Sequence, residues 1–173
     1  MSLSHILPAG FSFYLKETAA AAGFTTKGEV QEFDVPSENL ERAAVPSALC
    51  FENEPTVFEF TKVSLTDGKE VEGAKLQVTD QDGSIVDAWV SGKEPHIIRE
   101  LEVGKTYRMT ETLPGEGYVT AESIEFTVEN TGEVQKVEMK DDVTKTEISK
   151  TDLAGKELPG AKLAIYDKDW NVV

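Results

Sequence analysis

The sequence predicts an all-β protein of the sandwich class. Its apolar residues fall in short runs rich in Val, Thr, Ile and Phe, and Gly, Pro and Asp-Gly pairs separate these runs at turn-like intervals. No segment has the apolar periodicity of an amphipathic helix. With 173 residues, of which 39% are hydrophobic, the chain can hold one large domain or two small ones.

Comparison of the sequence with itself indicates a repeat of about ninety residues, the size of a small sandwich domain. Lys62 and Lys150 open matching stretches 150 − 62 = 88 positions apart, and Glu17 precedes a matching Glu111 by 111 − 17 = 94 positions. We therefore predict one complete repeat between two complementary half-repeats. The second half of a preceding repeat occupies residues 1–54, the complete repeat 55–142, and the first half of a following repeat 143–173.

Within the complete repeat, alternating apolar residues and turn signals predict seven short strands. A hairpin is expected around Gln81-Asp82-Gly83, a good short-turn sequence. Trp170 replaces this glycine in the following half-repeat, and in the preceding one residues 19–22 replace a Pro-containing turn and predict a short helical turn. The seven predicted strands are 57–65, 74–79, 84–90, 97–101, 106–112, 124–128 and 134–140.

Three of these strands carry an apolar track that ends in an ionisable residue on the same face. Because side chains two positions apart share a face of a strand, Lys62, Glu111 and Asp141 are expected to point into the interior. Isolated buried charges cost several kcal/mol each, so such groups pair or become neutral. The tracks are Phe58, Phe60 and Lys62; Tyr107, Met109 and Glu111; and Val137, Met139 and Asp141.

An amine that meets two carboxyl groups in a dry interior can form an amide. Burial lowers the pKa of an amine and raises that of a carboxyl group, which leaves a neutral nucleophile beside a protonated acid. Lys62 would attack the side chain of Asp141, while Glu111 would polarise the carbonyl and carry protons to the departing water. The product is an isopeptide bond between the first and the last strand. Strand phase selects Asp141 over its neighbour Asp142.

Each of the three residues also has a plainer interpretation. Lys62 alone is typical of a solvated lysine at a strand edge, Glu111 of a charged residue that discourages aggregation, and Asp141 of an acidic linker. For the three together, the alternative is an unreacted buried salt bridge in the same sandwich.

The composition argues against several other functions. With 32 acidic and 17 basic residues and a net charge of −15, the chain would repel phosphate backbones, so we expect no nucleic-acid partner. No apolar run reaches the length of a membrane span and no signal peptide is visible. We therefore expect no membrane insertion in this segment, and interpret it as part of a longer protein.

Metal, disulfide and cofactor chemistry are not indicated either. The single Cys50 excludes an intrachain disulfide, and we interpret it as a small filler of the interior. His5 and His96 have no cluster of metal ligands beside them, and no nucleotide-binding or catalytic motif is present. We expect no metal, no cofactor and no enzymatic turnover.

The complete repeat contains, in this order, Lys62, Gly73-Ala74-Lys75-Leu76, Tyr107-x-Met109-x-Glu111-Thr112, Pro114, Gly117-Tyr118, Phe126-Thr127-Val128 and Asp141. This set resembles the CnaB family, the B-type repeat of collagen adhesin, which comprises SpaA-like, prealbumin-like domains of Gram-positive surface proteins and pilins. The resemblance implies a small Greek-key, prealbumin-like β-sandwich. It also implies a spontaneous isopeptide bond between Lys and Asn or Asp, assisted by a Glu. By position these residues are Lys62, Asp141 and Glu111.

One departure from the family pattern concerns the first strand. The usual Lys-x-Asp is present as Lys150-Thr151-Asp152 in the following half-repeat, whereas the complete repeat has Lys62-Val63-Ser64.

The resemblance predicts a structural and adhesive stalk segment of a Gram-positive cell-surface protein or pilin, located outside the cell and anchored to the wall. Its partners would be neighbouring repeats of the same protein. Two alternatives remain open: an adhesin module that binds a host matrix protein or glycan, and an accessory domain of a secreted enzyme.

The two half-repeats contain matching site residues of their own. Glu17 ends a track with Phe13 and Leu15, and Asn53 ends a track with Leu49 and Phe51, 141 − 53 = 88 positions before Asp141. Lys150 would be the corresponding amine. We therefore predict that the half-repeats complement each other head-to-tail between molecules, as in strand donation, with an isopeptide bond in trans between Lys150 and Asn53.

Overall fold

The computed structural model describes residues 7–8, 10–35 and 49–173, and His5 lies outside these ranges. All regular structure within them is β, which confirms the predicted fold class. The chain divides into two compact units, Met1–Val143 and Thr144–Val173, each described here by itself. The strands are β1 (Phe11–Lys16), β2 (Val30–Val35), β3 (Val57–Ser64), β4 (Lys75–Thr79), β5 (Ile85–Val90), β6 (His96–Arg99), β7 (Thr106–Leu113), β8 (Ile124–Thr127) and β9 (Gln135–Asp141).

Strands β3 to β9 form a two-layer sandwich. A three-stranded sheet of order β6-β3-β9 faces a four-stranded sheet of order β5-β4-β7-β8. Aromatic rings join the layers, with the centroid of Phe126 on β8 lying 5.0 Å from Phe58 and 5.4 Å from Phe60 on β3. The core is formed by buried residues of both sheets and of the segments that follow β6 and β8: Phe58, Phe60, Leu76, Val78, Ile98, Leu101, Tyr107, Met109, Val128, Val137 and Met139.

The first and the last strand of this sandwich are neighbours and run parallel. Phe58 on β3 lies opposite Gln135 on β9, and the register continues without interruption to Ser64 opposite Asp141. The chain therefore enters the sandwich at one end of this pair of strands and leaves it at the other.

The predicted strands of the complete repeat are all present, with ends that differ by one or two residues. The hairpin between β4 and β5 turns where predicted, with Gly83 at φ 82° and the Asp80 amide donating to the Ser84 carbonyl at 3.0 Å. Strand β6 ends at Arg99, because Glu100 takes a left-handed φ of 63° and redirects the chain.

The region before the sandwich contains the antiparallel hairpin of β1 and β2, in which Phe13 pairs with Phe33. Two predictions for this region are wrong. Residues 19–22 form a bend and a turn rather than a helical turn, and the Phe24 amide donates to the Ala21 carbonyl at 3.1 Å. Cys50 is exposed and fills no interior space.

This first region joins the sandwich by close backbone contacts. Gly23 has a φ of 83°, and a side chain there would come within 2.6 Å of the Glu100 carbonyl oxygen. The Thr56 amide donates to the Gly23 carbonyl at 2.9 Å, and Asn130 exchanges two side-chain hydrogen bonds with the backbone of Thr26. Only glycine fits at position 23 in this packing.

The unit Thr144–Val173 consists of turns joined by isolated bridges, Thr151 with Glu157 and Tyr166 with Val172. Its turn at Asp167 repeats the β4–β5 hairpin: the Asp167 amide donates to the Asn171 carbonyl at 2.9 Å. Trp170 occupies the glycine position with a φ of 65°, so this turn carries a left-handed residue with a large side chain.

Candidate functional site

Three strands place the predicted ionisable residues in the interior of the sandwich. Lys62 lies on β3, Glu111 on β7 and Asp141 on β9, and their exposed fractions are 2%, 4% and 0%. The strand alternation explains this burial, since each residue continues the inward face formed by apolar side chains two and four positions before it. Asp142, the neighbour that strand phase had excluded, is exposed.

The Lys62 amine lies between the two carboxyl groups. Its Nζ contacts Asp141 Oδ1 and lies 3.0 Å from Glu111 Oε1. The structure therefore brings together the amine and the two acids that the sequence predicted to meet. Such proximity places a nucleophile next to a carboxyl carbon without any diffusional search.

Hydrogen bonds fix the side chain of Glu111 and the backbone of Lys62. Glu111 Oε2 accepts a hydrogen bond from the Ala121 amide at 2.7 Å, which leaves Oε1 directed at Lys62. The backbone of Lys62 is itself fixed, because its carbonyl accepts from the Val71 amide at 2.7 Å and its amide donates to Glu70 Oε2 at 3.2 Å. Sequence reasoning missed these supports, since backbone donors carry no signal in residue type.

The surroundings favour a neutral Asp141. Burial raises the pKa of this carboxyl group above its ordinary value of 3.8, although the nearby Lys62 amine opposes the shift. Among the described residues, Asp141 Oδ2 has no hydrogen-bond partner. A desolvated oxygen without a donor is most stable when it carries a proton, so the site favours the acid over the carboxylate.

The second set of predicted residues is only partly assembled. The Asn53 side-chain amide donates to Glu17 Oε1 at 2.7 Å, and both residues are half-buried. Lys150 is exposed in the unit Thr144–Val173.

Other kinds of site are not found in the described ranges. They hold no group of three or more His, Cys, Asp or Glu side chains that could bind a metal ion. Nor do they include a helix of the length and apolar character that crossing a bilayer requires.

The family assignment follows from a sequence model that covers the whole sandwich. The family model SpaA, described as a prealbumin-like fold domain, matches residues 56–143. The chain belongs to the SpaA prealbumin-like family. A search of the curated proteins found none that matches the chain. Below, residues 56–143 are called the SpaA domain.

Solved structures resemble this SpaA-family chain over different lengths. The Bacillus anthracis TIE protein is 26% identical with a TM-score of 0.58, over 96% of this chain and 32% of that one. The major pilin subunit BcpA of Bacillus cereus is 24% identical with a TM-score of 0.44, over 50% of this chain and 28% of that one. The shaft pilin SpaA of Lactobacillus rhamnosus GG is 14% identical with a TM-score of 0.46, over 79% and 66% of the two chains. The chain thus spans about a third of the TIE protein structure.

Proposed function

We propose that this chain is a structural segment of an extracellular stalk in a Gram-positive surface protein or pilin, and that an isopeptide bond between Lys62 and Asp141 closes its SpaA domain. Membership of the SpaA family supports the structural role, since the sequence motifs link this family to such surface proteins. The observation that carries the bond is the position of the buried Lys62 amine between Asp141 and Glu111.

The bond forms in one condensation step. The Lys62 amine attacks Cγ of the protonated Asp141 through its nitrogen lone pair, and Glu111 accepts the proton that the amine loses. Glu111 then returns this proton to the departing hydroxyl group. The Cγ–O bond breaks, one water leaves, and a Cγ–Nζ amide bond remains. Each chain reacts once, so the process is a maturation of the fold and not turnover.

A bond at this position changes how the domain carries force. Lys62 and Asp141 lie on adjacent parallel strands that contain the entry and the exit of the SpaA domain. A pull on the two ends would pass along β3, cross the bond and continue from Asp141. The 79 positions from Lys62 to Asp141 would form a loop outside the path of the load. By analogy with disulfides, closing a loop of this size adds about 4–5 kcal/mol.

Intact-protein mass spectrometry under denaturing conditions tests the bond directly. The expected mass of the chain is the sequence mass less one water, and fragmentation should yield a branched peptide that joins Lys62 to Asp141. Glu111→Gln should keep the fold and the full mass, because the side chain can no longer shuttle protons. Asp142→Asn is the matched control and should still lose water. A wild-type chain of unmodified mass would overturn the proposal.

The mechanical role has a separate test in single-molecule pulling. A SpaA domain closed by the bond should show no extension from residues 62–141 at forces that unfold ordinary β-sandwiches. The Glu111→Gln variant should extend by the length of the whole domain. Equal extension of both proteins would exclude the bond as the load-bearing element.

A further inference from the structure

Two loops of the SpaA domain lie next to the residues of the proposed reaction. The first loop (residues 65–71) follows β3, and the second loop (residues 114–121) follows β7. Strand pairing fixes Lys62 on β3 beside Asp141 on β9. Glu111 belongs to the other sheet, so its distance from the amine depends on the contacts between the two layers.

The first loop holds the amine and the acceptor. It turns back along β3, and the Val71 amide donates to the Lys62 carbonyl at 2.7 Å. Strand β6 pairs with β3 only as far as Phe60, so the loop takes the place of β6 beside Lys62. At the start of the loop, the Leu65 amide donates to the Asp141 carbonyl at 2.8 Å. This loop therefore fixes the backbone of both residues that would be joined.

The second loop holds the base and the exit of the chain. The Ala121 amide donates to Glu111 Oε2 at 2.7 Å. The Val119 amide donates to the carbonyl of Asp142, the residue after the acceptor, at 2.9 Å. A shift of this loop would therefore move the Glu111 carboxyl group relative to the Lys62 amine.

The two loops are in contact at Gly115 and Val71. Both residues are buried, and Val71 is 2% exposed. A β-carbon on Gly115 would lie 2.6 Å from Val71 Cγ1 and 3.0 Å from the Glu72 carbonyl oxygen. Carbon atoms pack at about 3.5–4.0 Å, so a side chain at position 115 would push the loops apart by about 1 Å. Unlike Gly117, Gly115 does not have a left-handed φ, so space and not backbone conformation requires glycine there.

We propose that Gly115 is a positioning residue for the isopeptide bond, because its contact with Val71 sets the distance between Glu111 and the Lys62 amine. The inference rests on the proposed function for its chemistry, and the bonds formed and broken are those of the condensation described above. With the loops in contact, Glu111 Oε1 lies 3.0 Å from Lys62 Nζ, within reach of the proton that the amine loses. Misplacement of reacting groups by about 1 Å can slow a reaction by about a hundred-fold.

The same contact makes bond formation the last step of folding. Lys62 and Asp141 meet as soon as β3 pairs with β9. The amine loses its proton only when Glu111 is in place, and that requires the second loop to close on the first. A chain whose second loop is still open would have its strands formed and would lack the bond.

The interval between folding and water loss tests this role. The full chain is made by cell-free synthesis and unfolded at once in denaturant, and chains without the bond are refolded by dilution. Circular dichroism follows the fold, and intact mass under denaturing conditions follows the bond. Gly115→Ala should reach the folded signal and then lose water at least about ten-fold more slowly than the wild type.

Gly92→Ala is the matched control for the added methyl group. Gly92 also lacks a left-handed φ, and a β-carbon there would meet no atom within 4 Å. This variant should lose water at the rate of the wild type.

A smaller side chain at position 71 should restore the rate. Val71→Ala removes the Cγ1 atom that a β-carbon at position 115 would strike. The double variant of Val71→Ala and Gly115→Ala should therefore lose water about five-fold faster than Gly115→Ala, since the two positions are coupled. A purely structural role predicts the opposite, because each substitution destabilises a buried contact and the two losses add. A double variant slower than Gly115→Ala would overturn the inference.

Val71→Ala by itself provides a test that does not depend on the folding of Gly115→Ala. It leaves a gap in place of a clash, so the chain should fold and lose water more slowly than Gly92→Ala. Equal rates in Val71→Ala and Gly92→Ala would overturn this inference and leave the proposed function intact, and so would equal rates in Gly115→Ala and Gly92→Ala. Absence of water loss from the wild type would overturn the proposed function, and this inference with it.

Discussion

Lys62 and Asp141 lie on the two parallel strands that begin and end the SpaA domain, and the Lys62 amine contacts the Asp141 carboxyl group in the core. The proposed isopeptide bond would therefore join the two strands through which the chain enters and leaves the domain. The amine and the acid occupy the only pair of adjacent strands, among those of the described sandwich, that run parallel. This relationship leads to predictions on the stability of the domain and on the formation of the bond.

Removal of the acceptor should cost more stability than any exposed change nearby. Asp141→Ala cannot form the proposed bond and leaves Lys62 buried without this partner, so the free energy of unfolding should fall by at least about 4 kcal/mol. Asp142→Ala, at an exposed position, should change it by less than about 1 kcal/mol. Denaturant unfolding of the two variants and the wild type measures both values. Equal losses of unfolding free energy in the two variants would contradict the role of Asp141 as the acceptor.

The chemistry of the acceptor should determine the leaving group. Asp141→Asn should still form the bond, because its amide offers the same carbon to Lys62, but the chain should lose ammonia instead of water. Intact-mass measurement distinguishes the two losses, and an Asn53→Ala background excludes ammonia loss from that asparagine. An unmodified mass would show that the site requires an acid.

Positioning of Glu111 by the Ala121 amide should matter for the rate of bond formation. Ala121→Pro removes the hydrogen-bond donor to Glu111 Oε2, whereas Ala121→Gly keeps it. We expect water loss to slow by about ten-fold in the proline variant, which corresponds to a lost hydrogen bond to a charged group of about 1.5 kcal/mol. Mass spectra recorded at intervals after refolding, with circular dichroism to confirm the fold, measure this rate. Equal rates for proline and glycine would exclude a positioning role.

The unreacted site should make stability depend on pH. In Glu111→Gln, where no bond forms, the folded state holds the proton of Asp141 more tightly than the unfolded state, because burial raises the pKa of this carboxyl group. Its contribution to stability is therefore present at low pH and is lost as the pH rises from 3.8 through the raised value.

The measurement is the difference in unfolding free energy between Glu111→Gln and the double variant with Asp141→Asn, taken across this pH range. The contributions of the other carboxyl groups cancel in that difference, because both variants contain them. If Glu111→Gln became more stable relative to the double variant as the pH rises, the raised pKa of Asp141 would be contradicted.

The junction before the SpaA domain should tolerate no side chain at position 23. Gly23→Ala places a methyl group against the Glu100 backbone at a left-handed φ, so the β1–β2 hairpin should detach and become sensitive to protease. Gly28→Ala is the matched control, since it has a φ of 65° and no atom within 4 Å of the added carbon. Equal protection of the two variants in limited proteolysis would show that backbone strain at a positive φ, and not the contact with Glu100, causes the protease sensitivity.

The Trp170 turn should gain stability from glycine. A large residue at a φ of 65° costs about 1 kcal/mol relative to glycine, so Trp170→Gly should slow amide hydrogen exchange at Asp167 by about five-fold. Gly83→Trp in the equivalent hairpin should have the opposite effect at Asp80. Changes of the same sign in both turns would contradict the equivalence of the two hairpins.

The sequence predicted the inward-facing residues well because a strand has a period of two and a sandwich has one buried face per sheet. Lys62, Glu111 and Asp141 could be assigned to the interior from their apolar neighbours alone, and the structure buries all three. The separation of Asp141 from Asp142 followed from the same alternation.

The parts that sequence reasoning missed depend on backbone geometry. The Ala121 amide that supports Glu111 and the left-handed Glu100 at the junction belong to residues whose types give no indication of either role. The alanines at 19–22 predicted a helical turn from their local preference. The structure has a bend and a turn there instead, next to Gly23, which packs against Glu100. Cys50 was misassigned because it lies out of phase with Leu49 and Phe51, and its equivalent on β9, Glu138, is also exposed.

The close contact between Gly23 and Glu100 also affects how successive modules of a stalk would be oriented. Gly23 packs closely against the backbone of Glu100, and Asn130 forms two hydrogen bonds with the backbone of Thr26, so rotation at this junction is restricted. Modules joined in this way would keep a constant rotational phase from one to the next. The orientation of the last module of such a stalk would then be determined by the orientation of the first.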